Sequence, residues 1–302
     1  MDLVYACHVK NNYWDKLINY NLSKLINHCN NIYIVYSISD GVNSDLFEKN
    51  IIYENVNFIK VDNEGYDFKK YKIGLLSMNI PSNYDWNIYL NRYPDLKTAF
   101  GDDIVEAEKH WFECGMVEGR SCQTDTNNSV ILMNDSFILT RNIDDIINNI
   151  QKKISNNVKF IGLTRSDEIV KHYQSFFWVL NYNLIQILCD LLTPNRLDTS
   201  KGSNNIIMKC EVELSNLFIN RYKSEFIYHA NRDGILLNKL EKLLDNGYPI
   251  IKLKCLRRKK LCFFNSGMYN RLKYKYDQPT YIPEYMKKIL DSTGLEYECI
   301  IK

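Results

Sequence analysis

The polar residues most suggestive of chemistry follow an apolar segment near the middle of the chain. The segment VILMNDSFIL places Asn134, Asp135 and Ser136 between apolar residues on both sides. We interpret residues 130–133 as a buried strand that delivers these three side chains to its polar end. A carboxylate at the carboxyl end of a central strand is well placed for a metal-bound diphosphate. The alternative is an ordinary turn, because Asn, Asp and Ser all favour turns.

Acidic residues further along the chain are candidates for a general base. Glu211 and Glu213 lie in a segment that we predict to be a helix. Both flank its apolar stripe at similar angles, so helical phase does not choose between them. Asp167 follows another predicted strand and is a further candidate. For Glu211 and Glu213, a half-exposed surface residue is the alternative.

Three of the five histidines lie next to predicted strands or polar segments. His8 follows the first apolar run, His172 precedes Gln174 and Ser175, and His229 ends the run EFIY. Histidine serves both as a proton carrier and as a metal ligand. A structural role is the alternative at each position.

The elements that must position these residues alternate between strands and helices. Apolar runs predict strands at 3–7, 32–36, 56–61, 130–133 and 160–163, and three- and four-residue spacing predicts helices at 14–29, 71–78 and 143–154. This alternation is typical of an α/β fold with a mainly parallel central sheet and helices on both faces. Ligands of such folds bind beyond the carboxyl ends of the strands.

One aromatic-rich stretch interrupts this alternation. It contains Tyr93-Pro94-Asp95-Leu96, His110-Trp111 and Glu118-Gly119-Arg120. We predict an insertion at 82–126, built as a hairpin of two short helices, within an α/β domain formed by 1–81 and 127–302. The motifs resemble a module found in tandem in proteins of giant viruses and some bacteria. The insert is a candidate site for binding protein or glycan.

Several segments outside the insert, taken in order, resemble the rhamnan synthesis protein F family of glycosyltransferases. They are Asn63-Glu64-Gly65-Tyr66-Asp67, Asn134-Asp135-Ser136, Gly162-Leu163-Thr164, His172-Tyr173-Gln174-Ser175, Glu211-Val212 and Gly247-Tyr248-Pro249-Ile250-Ile251-Lys252. The resemblance spans most of the chain outside the insert. One departure is the pair Lys69-Lys70 after Phe68, where the family has small or proline residues.

This resemblance implies a Rossmann-like fold of the GT-A type and transfer of a sugar from a nucleotide-sugar donor. Asn134-Asp135-Ser136 then corresponds to a relaxed Asp-x-Asp motif. Asp135 is implied as ligand of a divalent metal, Mn or Mg, with Asn134 and Ser136 as neutral partners and His229 completing the shell. A metal-independent enzyme that uses Lys or Arg is the alternative.

The remaining roles implied for the site concern the nucleotide and the acceptor. Asn63, Gly65 and Asp67 would contact the nucleotide, and His8 would lie near its base. The resemblance favours Glu211 over Glu213 as the base, with Asp167 as second choice. His172 would contact donor or acceptor sugar.

Composition excludes several other classes. Lys+Arg 38 against Asp+Glu 36 leaves a net charge of +2, which does not favour nucleic acid as a partner. The chain lacks an apolar run long enough for a membrane helix and a recognisable signal peptide, and its nine cysteines form no CxxC pair. We therefore expect a cytoplasmic protein, in host cytoplasm or virion if viral. The basic run at 252–260 is interpreted as a solvated edge, with diphosphate, phospholipid or RNA binding as alternatives.

The sequence thus predicts a glycosyltransferase that acts on a glycan or glycoprotein acceptor and serves polysaccharide biosynthesis. The competing hypothesis is a catalytically degenerate transferase fold that binds glycan or protein. The single carboxylate at 134–136 keeps this alternative open.

Overall fold

The computed structural model describes residues 1–11, 14–78, 80, 84–123, 126–230, 243–244, 246–253, 291, 293 and 295. Most of the basic run at 252–260 lies outside these residues.

A mixed, mostly parallel sheet forms the centre of the molecule. Its strands are β1 (Asp2–Val9), β2 (Ile32–Ile38), β3 (Val56–Lys60), β4 (Ser129–Asn134), β6 (Phe160–Ser166), β7 (His172–Tyr173), β8 (Phe177–Asn181) and β9 (Ser224–His229). The order is β3-β2-β1-β4-β8-β6-β7, and β9 also pairs with β6. β8 runs antiparallel to β4 and β6, whereas β1, β2, β3 and β4 are parallel. The structure confirms the predicted α/β class.

Helices cover both faces of this sheet. They are α1 (Trp14–Ser23), α2 (Ser44–Asn50), α3 (Tyr66–Ser77), α4 (Trp86–Arg92), α5 (Pro94–Phe100), α6 (Ile104–His110), α7 (Met116–Glu118), α8 (Asp144–Ser155), α9 (Asn183–Leu191), α10 (Ser203–Ile206) and α11 (Glu213–Arg221). Among the residues that the structure describes, no helix combines the length and apolar character needed to cross a bilayer.

The alternation of side chains along β1 divides the core in two. Leu3, Tyr5 and Cys7 belong to a core with residues of α1, α2 and α8, whereas Val4 and Ala6 belong to a core with residues of α3, α9 and α11. All five are fully buried, which explains the uninterrupted apolar run at the start of the chain.

Helix α3 approaches the sheet closely through a glycine. A Cβ atom at Gly74 would lie 2.4 Å from Val4 Cγ1 and 2.9 Å from Val35 Cγ2. The absence of a side chain therefore lets α3 pack directly on β1 and β2. Since α3 carries Asp67 and Lys70, this contact fixes the depth of both side chains relative to the strand ends.

Some element boundaries differ from those predicted. The first helix ends at Ser23 and is followed by a 3₁₀ turn, Ile26–His28, and α3 begins at Tyr66, five residues before its predicted start. The insert is not a two-helix hairpin. Its helices are α4, α5 and α6, and α6 continues through a π-helical turn, Trp111–Gly115, into α7.

The ends of the insert lie side by side. Tyr84 and Gln123 form an antiparallel bridge, and Asp85 N–H donates to the Cys122 carbonyl at 2.8 Å. The insert packs on the outer side of the helical layer: Tyr84 donates to Asp190 of α9 at 3.1 Å. The ends of the insert therefore lie together against α9 of the helix layer.

A second, two-stranded sheet lies beside the end of β4. β5 (Phe137–Leu139) pairs antiparallel with β10 (Ile250–Lys252), so that Lys252 stands opposite Phe137. The Leu253 N–H donates to the Ser136 carbonyl at 2.8 Å. This pairing brings residues 250–253 to the Asn134–Ser136 turn.

Candidate active site

The carboxyl ends of β1, β2 and β4 meet at one edge of the sheet, next to the start of α3. β1 and β4 run in register up to the pair Ala6 and Asn134. His8 and Asp135 therefore emerge together, and the fold assembles most of the predicted site residues here.

Asp135 is fixed by two donors on the same oxygen. Its Oδ2 atom accepts the backbone N–H of His8 and the indole N–H of Trp14, both at 2.8 Å. No hydrogen-bond partner of Oδ1 is found among the described residues. Burial raises the pKa of Asp135, although these donors and the positive charges of Lys10 and Lys70 oppose the rise. The carboxylate is thus oriented with one oxygen available for a ligand.

Asp67 is the second carboxylate at this edge. Asn134 Nδ2 donates to Asp67 Oδ2 at 2.8 Å, and Asn134 Oδ1 accepts the Ser136 N–H at 3.1 Å. Burial, and then the negative charge of Asp135, raise the pKa of Asp67 to about 6. Asn134 therefore links Asp67 to the turn between β4 and β5 and stabilises that turn.

Lys70 brings a buried positive charge to the same place. Only 1% of its surface is exposed, and its Nζ lies 3.4 Å from Asn63 Oδ1. The neighbouring Lys69 instead pairs with Glu64 at the surface, at 2.6 Å. One turn of α3 thus carries a carboxyl group, Asp67, and a positive charge, Lys70, into the site.

His8 is held neutral by its surroundings. Its Nδ1 is 2.9 Å from Ser37 Oγ, and its Nε2 is 3.1 Å from Ser39 Oγ. Because the Ser37 hydroxyl donates to Asn63 Oδ1 at 3.1 Å, we assign the ring proton to Nδ1. Burial, and then Lys70, lower the pKa of His8. The structure connects His8 and Asn63, two predicted nucleotide contacts, through one serine.

Gly65 and Tyr66 begin α3 with left-handed backbone. Their φ angles are +64° and +51°, and the Tyr66 side chain is 47% exposed. A Cβ at Gly65 would lie 2.6 Å from Lys69 Cβ. Gly65 is therefore required by the turn that aims Asp67 into the site.

Lys252 adds a second cation above the turn after β4. Its Nζ donates to Ser136 Oγ at 2.5 Å and lies 3.9 Å from the centre of the Phe176 ring. An ammonium over an aromatic face is attracted to the ring. The β5–β10 pairing therefore places a lysine beside Ser136, one residue after Asp135.

Glu211 reaches this region from the π-helical turn Ile207–Val212, which lies directly before α11. Its Oε2 accepts the Ser175 N–H at 2.7 Å and the Ser175 hydroxyl. The next residue, Phe176, accepts the Asn134 N–H through its carbonyl at 3.3 Å, and the Tyr71 hydroxyl donates to the Ser175 carbonyl at 3.1 Å. Glu211 is thus linked to the Asn134 turn through two consecutive residues, Ser175 and Phe176.

A π-helical turn, Ile207–Val212, decides which acidic residue faces inward. The extra residue in such a turn shifts the helical phase, and these turns are frequent at functional sites. Glu211 is 18% exposed, whereas Glu213 is 54% exposed and pairs with Arg196 at 3.0 Å. The same turn exposes Ile207, at 45%.

His172 lies beside the second oxygen of Glu211. Its Nδ1 donates to the Val170 carbonyl at 2.8 Å, since a carbonyl can only accept. Its Nε2 lies 4.0 Å from Glu211 Oε1.

Asp167 and His229 pair with each other. Asp167 accepts two hydrogen bonds from Arg165, at 3.0 and 3.1 Å, and its Oδ2 is 2.8 Å from His229 Nε2. The Arg165 hydrogen bonds keep the pKa of Asp167 below its usual range. A carboxylate of lowered pKa is a weaker base, so Asp167 is poorly suited to remove a proton.

The predicted metal ligands are not brought together. His229 ends β9, which is separated from β4 by β8 and β6. Three strand spacings correspond to roughly 14 Å. Within the described ranges, no three His, Cys, Asp or Glu side chains are grouped to hold a metal ion. These residues therefore do not fit a resident divalent metal held by Asp135 and His229.

Comparison with known proteins gives resemblance in shape only. No protein-family model matches the chain, and no curated protein matches its sequence. These comparisons do not support the resemblance to the rhamnan synthesis protein F family or to the giant-virus module.

Solved structures that resemble the chain include enzymes of sugar and nucleotide transfer. One is the glycosyltransferase GlyE of Streptococcus pneumoniae TIGR4, with 8% identity, coverage of 99% of this chain and 62% of that chain, and a TM-score of 0.41. Another is a cytidylyltransferase from Leptospira borgpetersenii, with 8% identity, coverage of 78% and 79%, and a TM-score of 0.39. At these values the likeness carries no argument about activity.

A third resembling structure contains ligands. It is glucosyl-3-phosphoglycerate synthase from Mycobacterium tuberculosis in complex with Mn²⁺, uridine diphosphate and phosphoglyceric acid, with 8% identity, coverage of 80% and 73%, and a TM-score of 0.34.

Sequence reasoning missed several residues of this site. Lys70, Tyr71 and Ser175 are buried there, and Lys252 contacts Ser136, but the sequence motifs assign no role to any of these four residues. The Lys69-Lys70 departure from the family pattern was the one available signal for Lys70. The others are recognisable only after folding, because their partners are more than 30 positions away in sequence.

Proposed function

We propose that the protein is a nucleotide-sugar-dependent glycosyltransferase of the GT-A type that acts on a glycan or glycoconjugate acceptor. The observation that carries this proposal is the combination of charges at one sheet edge. Asp67 and Asp135 lie there with Lys70 and Lys252. Glu211 is linked to this edge through its hydrogen bonds to Ser175. Cations next to a turn suit a diphosphate, and a separate carboxylate suits removal of an acceptor proton.

The residues divide into a donor side and an acceptor side. On the donor side, Lys252 would face the leaving diphosphate, and His8 and Asn63 would contact the nucleoside. On the acceptor side, Glu211 Oε1 and His172 Nε2, 4.0 Å apart, would hold the acceptor hydroxyl. Oε2 is occupied by Ser175, so Oε1 is the atom that would take the proton.

The proposed step is a direct displacement. The acceptor oxygen forms a bond to the anomeric carbon as its proton passes to Glu211. The bond between that carbon and the diphosphate oxygen breaks, and its electron pair leaves with the nucleoside diphosphate. Negative charge therefore grows on the diphosphate, where nearby cations stabilise the transition state.

A donor panel tests this function. Purified protein would be incubated with uridine, guanosine and thymidine diphosphate sugars, each with Mn²⁺, with Mg²⁺ and with chelator. Release of nucleoside diphosphate above that of Glu211→Gln supports transfer chemistry. Binding of a glycan without turnover of any donor would instead support the degenerate, binding form of the fold.

A further inference from the structure

Lys70 is unusual because it is a lysine buried inside a site that also contains two carboxylates. Its side chain is 1% exposed, and its Nζ donates a long hydrogen bond, 3.4 Å, to Asn63 Oδ1. Buried ammonium groups are stable only near compensating charge. The residue before it, Lys69, is partly exposed and pairs with Glu64. Burial is therefore specific to Lys70 and is not shared by the neighbouring lysine.

The compensating charges are the acidic residues of the site. Lys70 follows Asp67 by three positions on α3, so both lie on one face of the helix. Its positive charge acts on both carboxylates: it opposes the rise that burial causes in the pKa of Asp67 and of Asp135. The ammonium is therefore buried on the same face of α3 as Asp67, one of the two carboxylates that would otherwise attract a metal ion.

We infer that Lys70 supplies the positive charge that a divalent cation would bring to this edge, so that a nucleoside diphosphate binds without added metal. The inference deepens the proposed function and rests on it for the identity of the ligand. Asp67 and Asp135 are then counter-ions of Lys70, and Lys252, beside Ser136, is the second cation facing the diphosphate.

Electrostatics favours this arrangement over a metal site. A hard divalent cation needs several oxygen ligands that carry negative charge. Here the two carboxylates already compensate an ammonium, and a second cation beside it would be repelled in a site of low dielectric. The arrangement agrees with the lack of a three-ligand cluster in the described part of the chain.

Titration with Mn²⁺ alone, followed by calorimetry and electron paramagnetic resonance, tests the first consequence. The wild-type protein should bind no stoichiometric Mn²⁺. Lys70→Ala should gain a Mn²⁺ site, because it leaves two carboxylates uncompensated, and Lys70→Ala/Asp135→Asn should lose it again. Lys69→Ala is the matched control and should behave as wild type. Stoichiometric Mn²⁺ binding by the wild type that Asp135→Asn abolishes would overturn the inference.

Binding of uridine diphosphate and of inorganic pyrophosphate tests the second consequence. Wild-type affinity should be the same with chelator and with Mn²⁺. Lys70→Ala should bind about tenfold or more weakly in chelator, as expected for loss of a charged interaction, and should recover with Mn²⁺. Circular dichroism would confirm folding of the variant; if it is unfolded, the wild-type comparison alone decides.

The outcomes separate the two proposals. Binding that requires Mn²⁺, or no binding of either probe, overturns the role of Lys70. Metal-free binding that depends on Lys70, without turnover of any donor sugar, leaves the role of Lys70 standing and removes the glycosyltransferase proposal.

Discussion

Glu211 accepts two hydrogen bonds from Ser175, one from its backbone N–H at 2.7 Å and one from its hydroxyl, and both fall on Oε2. Ser175 thereby holds Oε2 in place, and Oε1 is the oxygen that lies near His172. Glu213, two residues later, points to the surface and pairs with Arg196. The two acidic residues therefore have different environments despite their similar positions on the helix.

Substitution of these two residues distinguishes their roles. Glu211→Gln should lower kcat about a hundredfold or more, because general-base catalysis typically contributes that much. Donor affinity should be retained, since Glu211 is proposed to contact the acceptor. Glu213→Gln is the matched control and should leave kcat unchanged, as surface substitutions usually do. Steady-state kinetics and donor titration measure both, and loss of activity only in Glu213→Gln would contradict the assignment.

Asp135→Asn should strongly reduce donor turnover and lower the melting temperature only slightly, because Asp67 remains as a counter-ion of Lys70. The amide oxygen of Asn can still accept the N–H groups of His8 and Trp14. The substitution also removes a carboxyl group whose pKa is raised because burial disfavours its charged form. Differential scanning calorimetry and a turnover assay provide the two measurements. A marked fall in melting temperature with normal turnover would show that Asp135 is only a turn residue.

Asp67 should make the protein more stable in mild acid than at neutral pH. Its pKa is about 6 in the folded state against 3.8 for the ordinary group, so the folded state binds the proton more tightly. The free energy of unfolding should therefore rise as the pH falls through about 6, and the gain should be complete near 3.8. Urea titrations of wild type and Asp67→Asn across this range give the difference due to Asp67. Parallel curves for the two proteins would refute the shift.

Gly74→Ala should weaken both stability and nucleotide binding. The added Cβ would meet side chains of Val4 and Val35 at 2.4 and 2.9 Å, so α3 must move away from the sheet. Overpacking of this kind typically costs about 1–3 kcal/mol, and the shift would also displace Asp67 and Lys70. Leu76→Ala, at an exposed position of the same helix, is the control. Unchanged urea midpoints and nucleoside diphosphate affinity would count against this close packing.

Removal of the insert should leave a folded protein of lower stability. Tyr84 and Gln123 are bridged, so replacement of residues 85–122 by a short Gly/Ser linker preserves the chain path. The melting temperature should fall, because the insert covers parts of the helix layer, including the Tyr222 hydroxyl that donates to Met116 at 3.3 Å. Thermal unfolding of the variant, followed by circular dichroism, should still show one cooperative transition. An aggregated product would contradict an independent module.

The α/β class follows from local patterns. Fully apolar runs such as residues 3–7 fit only strands covered on both faces, and a polar turn after such a strand must lie at the sheet's edge. The position of Asn134, Asp135 and Ser136 at the carboxyl end of a central strand could therefore be read from the sequence.

Tertiary structure alone decided which side chains meet at that edge. The π-helical turn before Glu213 changed the helical phase, so spacing could not separate Glu211 from Glu213. His229 follows a plausible strand, but strand order sets it beside Asp167 rather than Asp135. Lys70 is buried and Lys69 is not, because α3 presents one face to the sheet. Each of these placements depends on contacts between segments that are distant in sequence. Local propensity and periodicity carry no information about such contacts.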